Sequence, residues 1–296
     1  MLQKSKPYLL VLPAVTIIVV LLFGGIAEGL VQSLGYFPAN GRTGFSFTAY
    51  RQLFSNNDFI RSFEVTVRIS VISTLFASIL GVMVAVCLFM VAGKQPIRGN
   101  QTLYRIFQIP LLLPHLVAAY LVILLLMQSG WLSRILLALG FTKGMNSFPV
   151  LTNDPSGWGI ILTYTWKEAP FITLMIYPVL MRIRSSWLEA ARIFGANSWQ
   201  SFREILLPLL FPALASSAFI VFAFTFSAFE VPYMIGVTYP PMLPVLSFNL
   251  YTGDALAARP EALAINIILS VMTAVSGGAA YLLTRRFAIQ EGGRWS

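Results

Sequence analysis

The chain has 296 residues, 57% of them hydrophobic and only 10% charged, with a mean hydropathy of +0.77. Soluble domains carry about 25% charged residues, so a chain this apolar could not cover its surface with polar groups and must be solvated mostly by lipid. Its formal charge of +9 does not point to nucleic acid, because Lys and Arg cluster in short stretches between apolar segments rather than along a soluble face with interleaved aromatics.

A helix needs about 20 mainly apolar residues to cross the hydrocarbon core. Six stretches qualify, at 8–30, 65–91, 106–127, 159–181, 211–235 and 263–283. None shows the short alternating segments of a transmembrane β-barrel, so the expected fold class is an all-α membrane protein with six transmembrane helices. The first stretch follows a charged head, Met1 to Lys6, as a cleaved secretory signal would. It runs on to about Leu30 and five further stretches follow, so it reads as a retained helix. Cys87 lies alone inside the second stretch, which excludes an intrachain disulfide and a Cys-based metal cluster. Arg68, one turn from Glu64, suggests a local ion pair near the outer boundary. In the third stretch Pro110 and Pro114 are expected to kink or break the helix near mid-membrane.

Orientation follows from the basic residues in the connections. With the N-terminus in the cytoplasm, the inner segments hold Lys4, Lys6, Lys94, Arg98, Arg105, Arg182, Arg184, Arg192, Arg203, Arg285, Arg286 and Arg294. The outer loops hold half as many: Arg42, Arg51, Arg61, Arg134, Lys143 and Arg259. Both termini are therefore placed inside. The outer connections, 32–64, 128–158 and 236–262, contain Asn153-Asp154-Pro155 and Tyr239-Pro240-Pro241, and read as turns and short surface elements.

Ionisable residues inside a span are costly unless they face protein or water. His115, just after Pro114, either shapes a pathway or is a packed histidine. Lys167 pairs with a lipid or loop group, or sits at a water-filled cavity. Glu168 either lines the pathway or belongs to a structural pair. Glu230, with Pro232 and Tyr233 after it, lies close to the outer end of the fifth stretch and could line a vestibule or meet a partner there. The fifth stretch also spaces Ala213 with Ser217, and Ala223 with Ser227, four apart, as closely packed membrane helices do.

The inner connection 182–208 is the most informative segment. Ser186 with Glu189 has capping-box spacing, and Trp187, Leu188, Ala191 and Phe194 share one helical face. Gly195 is placed to end that helix in a left-handed conformation. Asn197 with Gln200 can cap a second short helix, whose apolar face would be Trp199, Phe202 and Leu206. Such a helix–turn–helix exposes apolar residues, either as a docking site for another protein or as a helix lying in the lipid interface.

The segment resembles the EAA loop of permease subunits of type I ATP-binding-cassette (ABC) importers, the MetI-like family. That pattern is Glu-Ala-Ala, three residues, Gly, nine residues, then Ile-x-Leu-Pro; here it is Glu189, Ala190, Ala191, Gly195, Ile205, Leu207 and Pro208, with no departure. The resemblance covers the core from about Ser62 to Arg286. It implies an N-terminal helix and outer loop over 1–61, a core permease domain over 62–286 and a cytoplasmic tail over 287–296. By the resemblance, the first helix of the loop inserts into a cleft on a cytoplasmic ATPase, with Glu189, Ala190, Ala191, Gly195, Trp187 and Phe194 as the coupling residues. Glu168, His115, Glu230 and Tyr233 are the candidate pathway residues. The implied partners are two ATPase subunits, a second permease that is a different chain, an extracytoplasmic solute-binding protein and membrane lipid, in a bacterial inner membrane. This chain itself would bind no cofactor, ATP and Mg belonging to the ATPase.

Gly93-Lys94 lacks the upstream Gly and the following Ser or Thr of a phosphate loop. No metal-ligand cluster or nucleophile–base pair points to an enzyme, and a stand-alone secondary transporter would be expected to show repeats and broken helices around a midplane site. The chain is similar to polyamine-importer permeases and, less so, to those of sugars. A small polar solute such as a polyamine is the expected cargo, and a sugar the alternative.

Overall fold

The computed structural model describes residues 2–38, 41, 43–92, 105–144, 147–183, 185–253 and 256–292. Lys94, Arg98, Arg42, Arg184, Arg294 and the Gly93-Lys94 pair lie outside the described residues.

Among the described residues the structure is helical, without strands. The helices are α1 (Leu2–Ser33), α2 (Thr48–Ser55), α3 (Asn57–Ala92), α4 (Ile109–Leu112), α5 (His115–Leu126), α6 (Trp131–Ala138) and α7 (Trp158–Arg182). After them come α8 (Ser185–Ile193), α9 (Ser198–Ser201), α10 (Leu207–Ser227), α11 (Glu230–Ile235), α12 (Leu243–Thr252) and α13 (Arg259–Gly292). Among the described residues, five helical runs are long and apolar enough to cross a membrane: Val11–Ser33, Asn57–Met90, His115–Ala138, Ser198–Ser227 and Leu256–Leu282. Helix α7 has 25 residues, enough to cover the hydrocarbon core at about 1.5 Å per residue. It carries a buried lysine and glutamate and is not among the five.

Proline sets the breaks. Leu113, before Pro114, has ψ 131 because the proline ring disfavours a helical residue ahead of it. The third apolar stretch is therefore split into α4 and α5, as its prolines predict. The fifth stretch differs from the single span expected over 211–235. Helix α10 ends at Ser227, Ala228 is extended with ψ 139, and α11 starts at Glu230. Pro232 explains this, since its ring would clash with the carbonyl four residues back, which is that of Ala228. Nor is the second helix after Gly195 separate. Helix α9 continues through a π-turn, Phe202–Leu206, into α10, and the Leu207 amide donates to the Phe202 carbonyl. The wider turn accommodates Pro208, which has no amide hydrogen to offer. The outer connection 236–262 holds more than turns, since α12 buries Leu243, Pro244 and Val245.

The chain divides into two compact units. One comprises Met1–Ile60 and Leu243–Val271. Within it the Ser33 hydroxyl meets the Tyr50 hydroxyl at 2.8 Å, Ser247 donates to the Ala262 carbonyl at 2.9 Å, and Arg259 lies over the Tyr251 ring. The other comprises Arg61–Met242 and Met272–Ser296. Its core has two apolar clusters. One gathers Ile69, Ala119, Ile160, Tyr164, Val231 and Ile235; the other gathers Ala77, Ala85, Ile172, Ile176, Leu206 and Leu210. Helix α7 contributes to both, and Lys167 and Glu168 fall between its two apolar stretches. Ser217 is buried in α10, with Ala213 packed on the second cluster, whereas Ser227 is exposed.

The start of α7 is tied down by its preceding loop. The Asp154 carboxylate accepts from the Ser156 hydroxyl at 2.6 Å, the Ser156 amide at 3.0 Å and the Trp158 amide at 3.0 Å. Gly157 has φ +77, and a Cβ there would lie 2.5 Å from Ile69 Cδ1, so only glycine fits. Arg68 does not form the ion pair expected with Glu64; its guanidinium donates to the Pro155 and Ser156 carbonyls at 3.1 and 3.5 Å. Partial burial pushes the Asp154 carboxyl up, but the hydrogen bonds from Ser156 and Trp158, with Arg68 nearby, outweigh it and hold it below the ordinary carboxylate range. A depressed folded pKa contributes stability above the unfolded value of about 3.9, and that contribution is lost as pH falls through the folded one. Asp154→Ala is expected to cost about 1 kcal/mol at neutral pH. In thermal unfolding of the purified chain in detergent, its deficit should shrink as the pH falls below about 4.

Candidate functional site

Two features of the second unit stand out. The first is a polar cluster at the break between α4 and α5. Lys167 is only 2% exposed and Glu168 9%. The Lys167 ammonium donates to the Pro110 carbonyl at 3.0 Å and the Leu113 carbonyl at 2.7 Å. Leu113 stands outside α5, and Pro110, which Pro114 cannot serve for want of an amide, takes the Leu113 amide at 3.3 Å and keeps its second lone pair for Lys167. Against the settings expected for Lys167, a lipid or loop group or a water-filled cavity, the structure shows the ammonium on protein backbone, one of its acceptors being the non-helical Leu113. Its partners are backbone groups of the neighbouring broken helix.

Glu168, the next residue, reaches the other half of the break. Its carboxylate lies 3.1 Å from Nε2 of His115, the first residue of α5. The His115 ring packs on Phe224 at 4.5 Å, and Tyr164, one turn before Glu168, meets the same Phe224 edge-on. The two candidates His115 and Glu168, taken from separate stretches, are thus brought together. Glu230 and Tyr233 lie on another element, α11. Both are exposed, with Tyr233 stacked on Phe229 at 4.8 Å.

The second feature is the connection between α7 and α10. Helix α8 starts at Ser185, so Ser186 falls in its first turn rather than capping it. At its end Gly195 has φ +84. The Gly195 amide donates to Arg192 at 3.0 Å and the Ala196 amide to Ala191 at 2.9 Å. These two bonds make a Schellman turn, which needs the left-handed residue predicted there. Asn197 and Gln200 form the expected capping box, each side chain meeting the other's amide at 2.8 Å.

The faces of this segment are more finely divided than the sequence indicates. Leu188 and Phe202 pack on the second apolar cluster, Leu206 joins it, and Trp187 and Ala191 are half-buried. Glu189 and Ala190 are exposed. The exposed apolar surface is Phe194 at 90%, Ile193 at 83% and Trp199 at 65%. Ile193 carries as much of that surface as Phe194, though it lies off the face predicted from helical spacing. Its signal is the adjacency of two large apolar residues ahead of a helix-ending glycine. Among the described residues no group of His, Cys, Asp and Glu is arranged to hold a metal ion.

A family model described as binding-protein-dependent transport system inner membrane component matches residues 77–289. The chain belongs to this family of importer permeases. It is a multi-pass membrane protein and a permease subunit of an ABC importer. The match takes in both the α4–α5 break and the α7–α10 connection. Among relatives, the spermidine/putrescine transport system permease protein PotC of Haemophilus influenzae is 28% identical over 82% of this chain and 83% of its own length. The trehalose/maltose transport system permease protein MalF of Thermococcus litoralis is 27% identical over 85% of each chain. Among solved structures, a bacterial ABC transporter involved in the import of the acidic polysaccharide alginate covers 96% of both chains with a TM-score of 0.78 at 21% identity. The MetNI methionine ABC transporter, in an inward-facing conformation, covers 77% of this permease and 95% of its own chain with a TM-score of 0.54. At these identities the structural likeness shows the fold.

Proposed function

We propose that this permease forms half of a solute pathway and couples it to a separate ATPase through the 182–208 segment. The observation that carries the reading is the exposed Ile193, Phe194 and Trp199 surface, held on a segment that retains every position of the Glu-Ala-Ala…Gly…Ile-x-Leu-Pro pattern. Large apolar side chains so exposed on a short, tightly capped element suit a cleft on another protein. Glu189 and Ala190 lie exposed near that surface. Six helices cross the membrane, α7 being the sixth, with the 1–61 segment preceding a 62–286 core and both termini in the cytoplasm.

The assembly has two ATPase subunits, which hold ATP and Mg, a second and different permease chain, and an extracytoplasmic solute-binding protein. Glu168 and His115 line the pathway, with Glu230 and Tyr233 toward its outer end. The solute is a small polar one such as a polyamine, supported by the likeness to PotC and by the acidic Glu168 and Glu230. The likeness to MalF supports a sugar as the second reading.

Affinity purification of the tagged chain in mild detergent tests the assembly. Two ATPase subunits and one different permease should co-purify. A lone chain that transports without any ATPase would overturn the proposal.

A further inference from the structure

Lys167 is the one residue of the polar cluster to which the pathway reading gives no role. Lysine is rarely buried without partners, and within an apolar environment it usually extends toward water. Here it does neither. Its ammonium is spent on two backbone carbonyls at the Pro114 break: that of Leu113, and that of Pro110, where it is a second donor beside the Leu113 amide. Without water, the Leu113 carbonyl must find a donor inside the protein, and Lys167 supplies it at 2.7 Å. The neighbouring Glu168 holds His115, on the far side of the same break. Successive residues on a helix point about 100° apart, so one short stretch of α7 grips both halves of the broken helix.

We propose that Lys167 is a positioning residue for transport: by clasping Pro110 and Leu113 it fixes the geometry of the break and sets the His115 imidazole against Glu168. The inference rests on the reading that this cluster belongs to the translocation machinery. It assigns Lys167 no contact with solute. Its charge serves the backbone of its own chain, and the solute meets what that backbone presents. Because the clasp joins α7 to α4 while Glu168 joins α7 to α5, a shift of α7 moves both halves of the break together.

The test uses the complete complex with three forms of this chain. Lys167→Met keeps an unbranched side chain but removes the donor. Lys167→Arg keeps charge and donors. Lys167→Met with Pro114→Ala lets the amide of residue 114 satisfy the Pro110 carbonyl, so that α4 can continue into α5. Two readouts are taken per assembled complex: uptake of radiolabelled spermidine or maltose, and amide hydrogen exchange over residues 118–122.

Lys167→Met should lower uptake at least tenfold and raise exchange in 118–122 at least tenfold, with exchange elsewhere in α3, α7 and α10 unchanged. Lys167→Arg should keep at least a third of native uptake. The double variant should recover protection but not uptake, because a continuous helix no longer presents His115 as the break does. Native behaviour of Lys167→Met in both readouts overturns the proposal. So does full recovery of uptake in the double variant, which would make Lys167 a mere filler of carbonyl valences, and so does a uniform rise in exchange across all helices. The exchange readout needs no solute. It therefore decides the clasp even when neither probe is transported, an outcome that would count against the solute assignment alone.

Discussion

Gly195→Val is expected to leave the chain in the membrane but to cut retention of the ATPase, and solute uptake, at least tenfold. Gly195 sits at φ +84 with open space where a Cβ would point, so the penalty is conformational and not steric crowding. A residue with a Cβ in the left-handed region loses about 1–2 kcal/mol, and β-branched valine more. Relief of that strain would unwind the Schellman turn, whose two bonds join Gly195 and Ala196 back to α8. Ile193 and Phe194 precede the turn directly, so their presentation fails with it. About 1.4 kcal/mol is a tenfold change in an equilibrium. Gly195→Asn should be milder, because asparagine tolerates the left-handed conformation. Glu189→Ala, at an exposed position on α8, should weaken ATPase retention without disturbing the turn. Co-purification and uptake measured side by side check all three, and normal values for both Gly195→Val and Glu189→Ala would remove the docking assignment.

The second large effect is expected at Glu168. Glu168→Gln preserves the side-chain shape and an oxygen to face His115, but removes the charge from a site that is 9% exposed. A hydrogen bond to a charged group is worth about 1.5–3 kcal/mol against about 1 for a neutral pair. The loss of about 1 kcal/mol or more should appear as a five- to tenfold fall in uptake, with complex yield unchanged. Unaltered uptake together with unaltered solute-stimulated ATP hydrolysis would leave Glu168 a structural residue. Glu168→Gln and Lys167→Met report on different halves of the break, and their effects need not add, since the two side chains support one arrangement.

Much of the fold was legible because it depends on local chemistry. Long apolar runs must be helices in lipid, where each backbone group needs a partner in its own segment. Pro114 broke the third stretch as its ring and missing amide require. Gly195, Asn197 and Gln200 behaved as their caps predict, because a cap involves only residues within a turn of one another. The miss in the fifth stretch was local too: Pro232 carries the same signal as Pro114, four residues after the break it causes at Ala228. The Glu189-Ala190-Ala191…Gly195 spacing pointed to the permease family that the 77–289 match then established.

Residue order alone therefore settles what short-range rules control: an all-helical membrane chain, its broken stretch, its capped connection and its family. Which polar groups meet is settled by packing in three dimensions. Lys167 bonds to carbonyls 57 and 54 residues earlier in the chain, and Glu168 meets a histidine 53 residues away. Likewise, packing divided the 182–208 segment into Leu188 and Phe202 turned onto the body and Ile193 and Phe194 left exposed. Both outcomes have one cause. A buried charge takes the partner that packing brings within about 3 Å, and an apolar face is buried only where another element arrives to cover it. Neither event is written in the residues next to it.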